Sequence, residues 1–97
     1  MKVSMPPVKM CNAKKCAYNS QDSCHALAIT VGDPGGPPAC DTFFTSSRHG
    51  GVKDATAGVG ACKTDDCKFN QDFECSASSV SIGLQNNAVD CLTYHKR

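Results

Sequence analysis

The sequence has few of the side chains from which a hydrophobic core is normally built. It contains no Trp, two Tyr and four Phe, and its Leu, Ile, Val and Phe residues together number 16 of 97. This share is below the roughly 20% that is typical of ordinary globular chains. Hydrophobic burial alone is therefore not expected to hold the fold, and the length allows one small domain or two very small ones.

Charge of one sign is also lacking. Ten Lys and Arg residues stand against nine Asp and Glu, which leaves a formal net charge of +1. The basic residues are scattered without interleaved aromatic ones, so we expect no nucleic-acid partner and no attraction to an anionic membrane surface.

Long hydrophobic runs are missing too, which predicts no transmembrane segment and no membrane association. The opening residues, MKVSMPPVKM, have no apolar run of seven or more residues and no small-residue cleavage site, so they do not read as a signal peptide. We therefore expect a cytoplasmic protein, and a cytoplasmic chain keeps its thiols reduced.

Cysteine, by contrast, is abundant: the chain has eight, in two sets with the same spacing. Gaps of four, seven and fifteen residues separate the members of each set, and the second set lies 51 residues after the first. The sets are Cys11, Cys16, Cys24 and Cys40, then Cys62, Cys67, Cys75 and Cys91. Such self-similarity indicates an internal duplication.

The duplication divides the chain into four parts. Residues 1–7 form an N-terminal tail, residues 8–44 the first unit (unit one), and residues 59–95 the second (unit two). Between the units, residues 45–58 are rich in Gly, Ser, Thr and Ala and are predicted to be a linker. The linker length allows the units either to pack together or to remain separate.

Apolar residues alternate with small or polar ones over residues 27–31 and again over residues 80–84, which is typical of half-buried strands. Turn-forming Pro or Asn residues follow, and a second short strand then carries the last cysteine of each unit. We therefore predict a small, metal-stabilised, β-rich fold with little helix, made of two duplicated zinc-ribbon-like β-hairpin units.

Four cysteines per unit can close a tetrahedral zinc shell or form two disulfides. A structural zinc ion contributes ~10–16 kcal/mol at neutral pH, whereas two disulfides that close short loops contribute about 6 kcal/mol together. We favour two Zn²⁺ ions, one per unit, with all eight cysteines as ligands. Disulfides without a cofactor remain the alternative, an iron–sulfur cluster fits the spacing less well, and the identity of the metal stays open.

Other polar and aromatic residues receive less specific predictions. The three histidines, His25, His49 and His95, are expected to be exposed or loosely packed rather than metal ligands. Asn19 and Asn70 recur after the second cysteine of each unit and are expected to cap tight turns. Four aromatic residues are expected to cover the cysteine sites as a small core: Tyr18, Phe43, Phe69 and Tyr94.

The two sites are expected to differ in affinity. Lys14 and Lys15 lie between the first two cysteines of unit one, where positive charge favours thiolates, whereas Asp65 and Asp66 occupy the matching positions of unit two. Unit two is therefore predicted to lose metal first as the pH falls.

No nucleophile, base and orienting group recur together in the two units, so we do not expect an enzyme. The leading hypothesis is a structural metal module that presents a surface to a protein partner of unknown identity. Metal buffering or sequestration, and a thiol redox switch that forms disulfides, are the alternatives.

The assembled pattern, V-x-M-C-x₄-C-x-Y-N-x₄-C-x-A-x₂-I-x-V with a later C-D-T-F-F, resembles a family of small bacterial cysteine-rich domains, domain of unknown function 1540. The resemblance covers residues 8–44 and 59–95, and unit two departs from the pattern at Asp65, Asp66 and Ser78. It implies a metal-binding role for the four cysteines of each unit and supplies no reaction or partner.

Overall fold

A computed structural model describes residues 5–32, 38–52, 54–85 and 88–97. These residues form short β-strands and no helix, so the predicted β-rich class is confirmed. The strands are β1 (Val8–Cys11), β2 (Asn19–Ser20), β3 (Ser23–Cys24), β4 (Ala28–Val31), β5 (Gly58–Cys62), β6 (Asn70–Gln71), β7 (Glu74–Cys75), β8 (Val80–Gln85) and β9 (Ala88–Cys91). None of these residues belongs to a helix long and apolar enough to cross a bilayer.

The strands repeat between the units. In each unit a strand ends at the first cysteine, a short antiparallel hairpin carries the third, and a longer strand follows; β1 to β4 thus correspond to β5 to β8. The fold therefore contains the duplication that the cysteine spacing predicts.

The parallel strand pairs join the two units to each other. β1 of unit one runs parallel to β8 of unit two, and β4 of unit one runs parallel to β5 of unit two. The registers match as well, because Val8 pairs with Val80 and Ile29 pairs with Val59, with an irregularity after each of these pairs. The two units are thus interlaced.

Two antiparallel bridges join residues at equivalent positions of the duplication. Pro7 pairs with Gly58, and Ala39 pairs with Asp90, and each pair is separated by 51 positions in the sequence. Antiparallel pairing of a residue with its own counterpart is what a two-fold axis between identical surfaces produces. The chain therefore has the internal symmetry of a two-fold dimer, although it is one polypeptide.

The hydrophobic core lies along the seam between the paired strands. Its largest fully buried apolar side chains are Ile29, Val59, Val80 and Ile82, and each buried Val or Ile contributes ~1.5–3 kcal/mol. Ile29 comes from unit one, and the other three come from unit two. The few large apolar residues of the sequence are pooled into one core.

The alternating patterns predicted the strands well but not their ends. Ile29 and Val31 are buried as expected, whereas Leu27 is 68% exposed and Leu84 is 62% exposed. Leu27 precedes β4, and Leu84 lies beyond the residues of β8 that pair with β1. Neither leucine is therefore among the residues that pair with a strand of the other unit.

The predicted second strand of each unit forms to different extents. In unit two, β9 pairs antiparallel with β8 from Gln85↔Ala88 to Ile82↔Cys91. In unit one the described residues form a single bridge at this place, Val31↔Cys40, which is equivalent to Ile82↔Cys91 of unit two. The turn residues predicted at 33–37 and at 86–87 lie outside the described residues.

The segment predicted as a linker packs along unit one. Gly50 N–H donates to Ala17 O (2.9 Å), Val52 N–H to His25 O (2.9 Å), and the N–H of buried Ala57 to Cys24 O (3.1 Å). The sequence left open whether the two units pack together or remain separate. In the structure they pack together through the strand pairs β1–β8 and β4–β5.

Gly32 and Gly83 occupy equivalent positions but have different neighbours. Gly32 has a positive φ of 75°, and a Cβ atom there would overlap Thr64 Oγ1 of unit two. Gly83 lies inside β8, where a Cβ would come within 2.6 Å of Asn12 Oδ1 of unit one. Of these two glycines, Gly32 has a positive φ and Gly83 does not.

We predict that Gly32→Ala destabilises the fold more than Gly83→Ala. Gly32→Ala combines left-handed backbone strain of ~1–2 kcal/mol with overlap on the side chain of Thr64, which is 1% exposed. The total loss is expected at about 2–4 kcal/mol. Gly83→Ala displaces the exposed Asn12 and its hydrogen bond from Leu84 N–H (2.9 Å), a loss of about 1 kcal/mol. Urea unfolding of both variants under identical buffer and metal conditions measures the difference, and equal losses would contradict it.

The tips of the two short hairpins hold non-glycine residues at positive φ. The angles are 54° at Gln21, 62° at Asp22, 54° at Asp72 and 64° at Phe73. Two consecutive positive φ values define a type I′ turn, which favours Asn-Gly. Both tips therefore use side chains that this backbone disfavours.

We predict that Asp22→Gly stabilises the protein by roughly 0.5 kcal/mol, because relief of a ~1–2 kcal/mol left-handed strain exceeds the entropy loss of glycine. Ser20→Gly is the matched control: Ser20 lies in β2, so its replacement should destabilise by about 0.5–1 kcal/mol. Urea midpoints of the full chain test both, and a destabilised Asp22→Gly would show that the turn carries no such strain.

Candidate metal centres

The first two cysteines of unit one are positioned by the short hairpin. Cys11 ends β1, and its N–H donates to Asp22 O at the hairpin tip (2.9 Å). Cys16 follows a tight turn closed by its own N–H to Ala13 O (3.0 Å). The buried Asn19 joins the two parts, because its Nδ2 donates to Cys11 O (2.7 Å).

Unit two repeats these contacts. Cys62 N–H donates to Phe73 O (2.9 Å), Cys67 N–H to Thr64 O (3.2 Å), and Asn70 Nδ2 to Cys62 O (2.8 Å). Asn70 Oδ1 also accepts the N–H of Phe73 (3.2 Å), so the predicted turn-capping role is confirmed for Asn70. Both asparagines tie the hairpin to the strand that bears the first cysteine.

The third and fourth cysteines approach from the other side. Cys24 ends β3, opposite Asn19, and Cys40 is bridged to Val31 of β4. In unit two, Cys75 ends β7, and Cys91 ends β9. The hairpin and the last strand thus bring distant cysteines back to the first pair.

All four cysteines of each unit line one small cavity. The cavity of unit one (site one) has a volume of about 10 Å³, and that of unit two (site two) about 20 Å³. Site one contains Cys11, Cys16, Cys24 and Cys40, and site two contains Cys62, Cys67, Cys75 and Cys91. The structure therefore brings together the two sets that the spacing predicts, around spaces large enough for a single ion.

Residues of the opposite unit complete each cavity. Ile82 and Val89 of unit two line site one, and Val31 and Pro38 of unit one line site two. No sequence pattern marks these residues as part of the opposite unit's site. Their 51-residue correspondence was visible in the sequence, but nothing in the alternating pattern says whether a strand pairs within its own unit or across.

The aromatic residues cover the sites as expected. Tyr18 and Phe43 line site one and pack against the hydrophobic core, as predicted. Phe69 and Tyr94 line site two. Tyr18 also packs edge-on against Phe44, with 5.4 Å between ring centroids.

Thr42 and Thr93 follow the fourth cysteine of each unit and lie in turns rather than in strands. Their hydroxyl oxygens accept the N–H groups of Thr30 (3.1 Å) and Ser81 (2.9 Å). The hydroxyls therefore anchor the neighbouring strands. The backbone N–H groups of the same threonines donate to the sulfurs of Cys40 and Cys91.

Burial raises the pKa of the Cys40 thiol to about 11, while hydrogen bonds from the N–H groups of Thr42 and Phe43 lower it and the nearby Cys24 and Cys16 raise it. Cys91 in unit two has the same pKa of about 11, with burial again the main cause. These thiols hold their protons at neutral pH, and their backbone donors are already placed to stabilise a thiolate.

Burial also raises the pKa of the third cysteine in each unit. For Cys24 the N–H of Ala26 opposes the shift, and for Cys75 the N–H of Ala77 does so. Neighbouring cysteines of the same set contribute a further rise in each case. The sulfurs of each set therefore lie close enough together to raise the pKa of the third and fourth cysteines.

The donor set fits zinc. All eight cysteines are free thiols, and zinc prefers four thiolates in its structural sites. Among the described residues, however, no group of three or more His, Cys, Asp or Glu side chains is arranged to hold a metal ion as it stands. Metal binding therefore requires the thiol side chains of each cavity to shift.

The histidines lie apart from both cavities. His25 is half-buried, with Nδ1 2.9 Å from Ala55 O, and His95 is exposed, with Nδ1 3.2 Å from Lys96 O. Among the residues that the structure describes, no histidine lines site one or site two.

The charge difference between the units is smaller in the structure than in the sequence. Asp66 accepts a hydrogen bond from the Tyr94 hydroxyl (3.0 Å). The Arg97 guanidinium donates to the backbone oxygens of Cys67 (2.9 Å) and Asn70 (2.6 Å). Arg97, which follows unit two, therefore places a cation beside Cys67 and partly offsets the two aspartates.

Comparison with known proteins gives one match. The model of the family described as Domain of Unknown Function (DUF1540) matches residues 10–53 and again residues 61–94. No curated protein and no solved structure matches the chain. The two matched segments together span most of the sequence and each contains one complete set of four cysteines. The chain therefore belongs to the DUF1540 family and carries two tandem copies of its domain.

Proposed function

We propose that this protein is a zinc-binding module in which each unit carries one structural Cys₄ site. The observation that supports the proposal is that the four thiols of each unit line one cavity large enough for a single ion. Cys11, Cys16, Cys24 and Cys40 would hold the first ion, and Cys62, Cys67, Cys75 and Cys91 the second.

A structural role follows from the ligand set. Four thiolates fill the tetrahedral shell of zinc and leave no position for a substrate, so the proposal is a binding module and not an enzyme. The bound ion would contribute ~10–16 kcal/mol to folding at neutral pH. That contribution matches the need of a chain with so few large apolar side chains.

The electrostatics of the thiols favour this role over a redox switch. Redox-sensing cysteines have a lowered pKa and are accessible to solvent. Here burial raises the pKa of Cys40 and Cys91 to about 11, which disfavours the reactive thiolate in the metal-free chain. A metal buffer differs from a structural site by rapid exchange of its ion, and enclosure by the core of both units favours slow exchange.

The surface of the module is where a protein partner would bind. The two units share a frame but differ in charge at the exposed turn between their first two cysteines, with Lys14 and Lys15 in one and Asp65 and Asp66 in the other. Arg48 lies beside the lysines around the same open surface cavity. A rigid scaffold that displays two different faces suits an interaction module.

We predict that the full chain, purified in reductant, carries two zinc ions by native mass spectrometry. In excess zinc, Cys40→Ser and Cys91→Ser should each retain one ion, because each removes one ligand from one cavity. His25→Ala is the control and should retain both ions. Chelation of the wild-type chain should collapse its dispersed amide resonances, since the fold loses the free energy of metal binding.

Two outcomes would contradict this proposal. A metal-free chain that keeps a dispersed spectrum after exhaustive chelation in reductant would show that metal is not structural. A mass lower by two hydrogens for each pair of cysteines would identify disulfides instead.

We predict that zinc affinity rises steeply with pH. Cys24 and Cys40 in site one, and Cys75 and Cys91 in site two, have a pKa raised above 9.0, so they are protonated at pH 7 and must lose protons to bind. Each ion should therefore release at least two protons, and the apparent affinity should fall at least about 100-fold for each unit of pH decrease near neutrality. Calorimetry in buffers of different ionisation enthalpy counts these protons, and release of fewer than two per ion would refute the assignment of these thiols.

A further inference from the structure

The first cysteine of each site is held by a strand of the opposite unit. Cys11 of site one pairs with Ile82 of β8, and on the other side of β8 Ile82 pairs with Cys91 of site two. In the three-stranded sheet, Ile82 therefore has a cysteine of site one on one side and a cysteine of site two on the other. In the symmetric place, Val31 lies between Cys62 of site two and Cys40 of site one.

The fourth cysteine of each site is also held by the opposite unit. Cys40 N–H donates to Val89 O (2.8 Å), and Cys91 N–H donates to Pro38 O (2.7 Å). The acceptor residues, Val89 and Pro38, are the same ones whose side chains close the other unit's cavity. Two of the four cysteines in each site therefore depend on the opposite unit for their position.

From these contacts we infer that the two cysteine sites are energetically coupled, so that metal binding at one site raises the affinity of the other. The inference rests on the proposed metal binding. Ordering site one fixes Cys11 and Cys40, and these residues hold β8 and Val89 of unit two in place. The ordering cost of site two is then partly met before its own ion binds, and the effect is reciprocal.

The first test is the distribution of bound zinc on the full chain. One equivalent of Zn²⁺ per two sites is added to metal-free, reduced protein, and native mass spectrometry counts the species. Independent sites leave about half of the chains with a single ion at half saturation when their affinities are equal, and more than half when they differ, whereas positive coupling suppresses that species. We expect the one-ion fraction to fall below a quarter. A fraction of half or more would overturn the coupling.

The second test uses a residue that belongs to one unit but lines the cysteine site of the other. Val89 belongs to unit two but lines only site one, and it is 8% exposed. With ¹¹³Cd²⁺ as the probe, each site gives its own NMR resonance, and Cys16→Ser assigns the resonance of site one by removing it. We expect Val89→Ala to weaken cadmium retention against a chelator by at least tenfold at site one, and by less at site two.

Leu84→Ala is the matched control, because Leu84 is in the same unit, is 62% exposed and lines neither cavity. It should leave both resonances within twofold of the wild type. Val89→Thr, which keeps the shape and strand preference of valine, tests the same contact should Val89→Ala not fold. A larger effect at site two than at site one, for either Val89 variant, would overturn the inference.

Failure of the inference can be told apart from failure of the proposed function. If neither zinc nor cadmium binds, the proposed function falls and the coupling falls with it. If two ions bind but load independently, and Val89 variants affect the site of their own unit, the metal-binding proposal stands and only the coupling is overturned.

Discussion

The rest of the structure depends on one constraint: neither unit has enough large apolar side chains to build a core of its own. The two units meet this constraint by exchanging strands, so that Ile29 and Val59 pack on one seam and Val80 and Val8 on the other. Small domains usually need disulfides, metals or oligomerisation to fold. This chain achieves the effect of oligomerisation within a single polypeptide. The two cysteine cavities are lined both by residues of the shared core and by cysteines of the short hairpins.

The duplication made the cysteine sets and most of the strands predictable from the sequence. Equal gaps between cysteines imply equal local geometry, and alternating residues such as Ile29 and Val31 mark a buried strand face wherever the strand pairs. The choice of pairing partner was not predictable, because a period of two residues is the same for a strand that pairs within its unit and for one that crosses to the other. The cavity-lining roles of Val89 and Pro38 depend on that choice, and no local signal marked them.

The units have diverged at the contacts between them as well as on their surface. Gly32 is needed both for its positive φ and for the space that Thr64 occupies, whereas Gly83 needs only the space beside Asn12. The same residue type at equivalent positions therefore answers two different physical demands. Positions that look conserved within a duplication need not be interchangeable, and a sequence comparison of the units alone cannot separate the two cases.

The two-fold arrangement explains why tandem copies are an advantage for this fold. A single unit would leave the edges of β1 and β4 unpaired and its cysteine cavity open on the side that Ile82 and Val89 close. It would need a second copy to complete it, at a cost set by concentration. For separate units present at about 1 μM, joining them by a short segment raises the concentration of one unit around the other to an effective value of about 1 mM. This favours their association by about 4 kcal/mol. That gain is comparable to burying two more valines, and it needs no enlargement of the core.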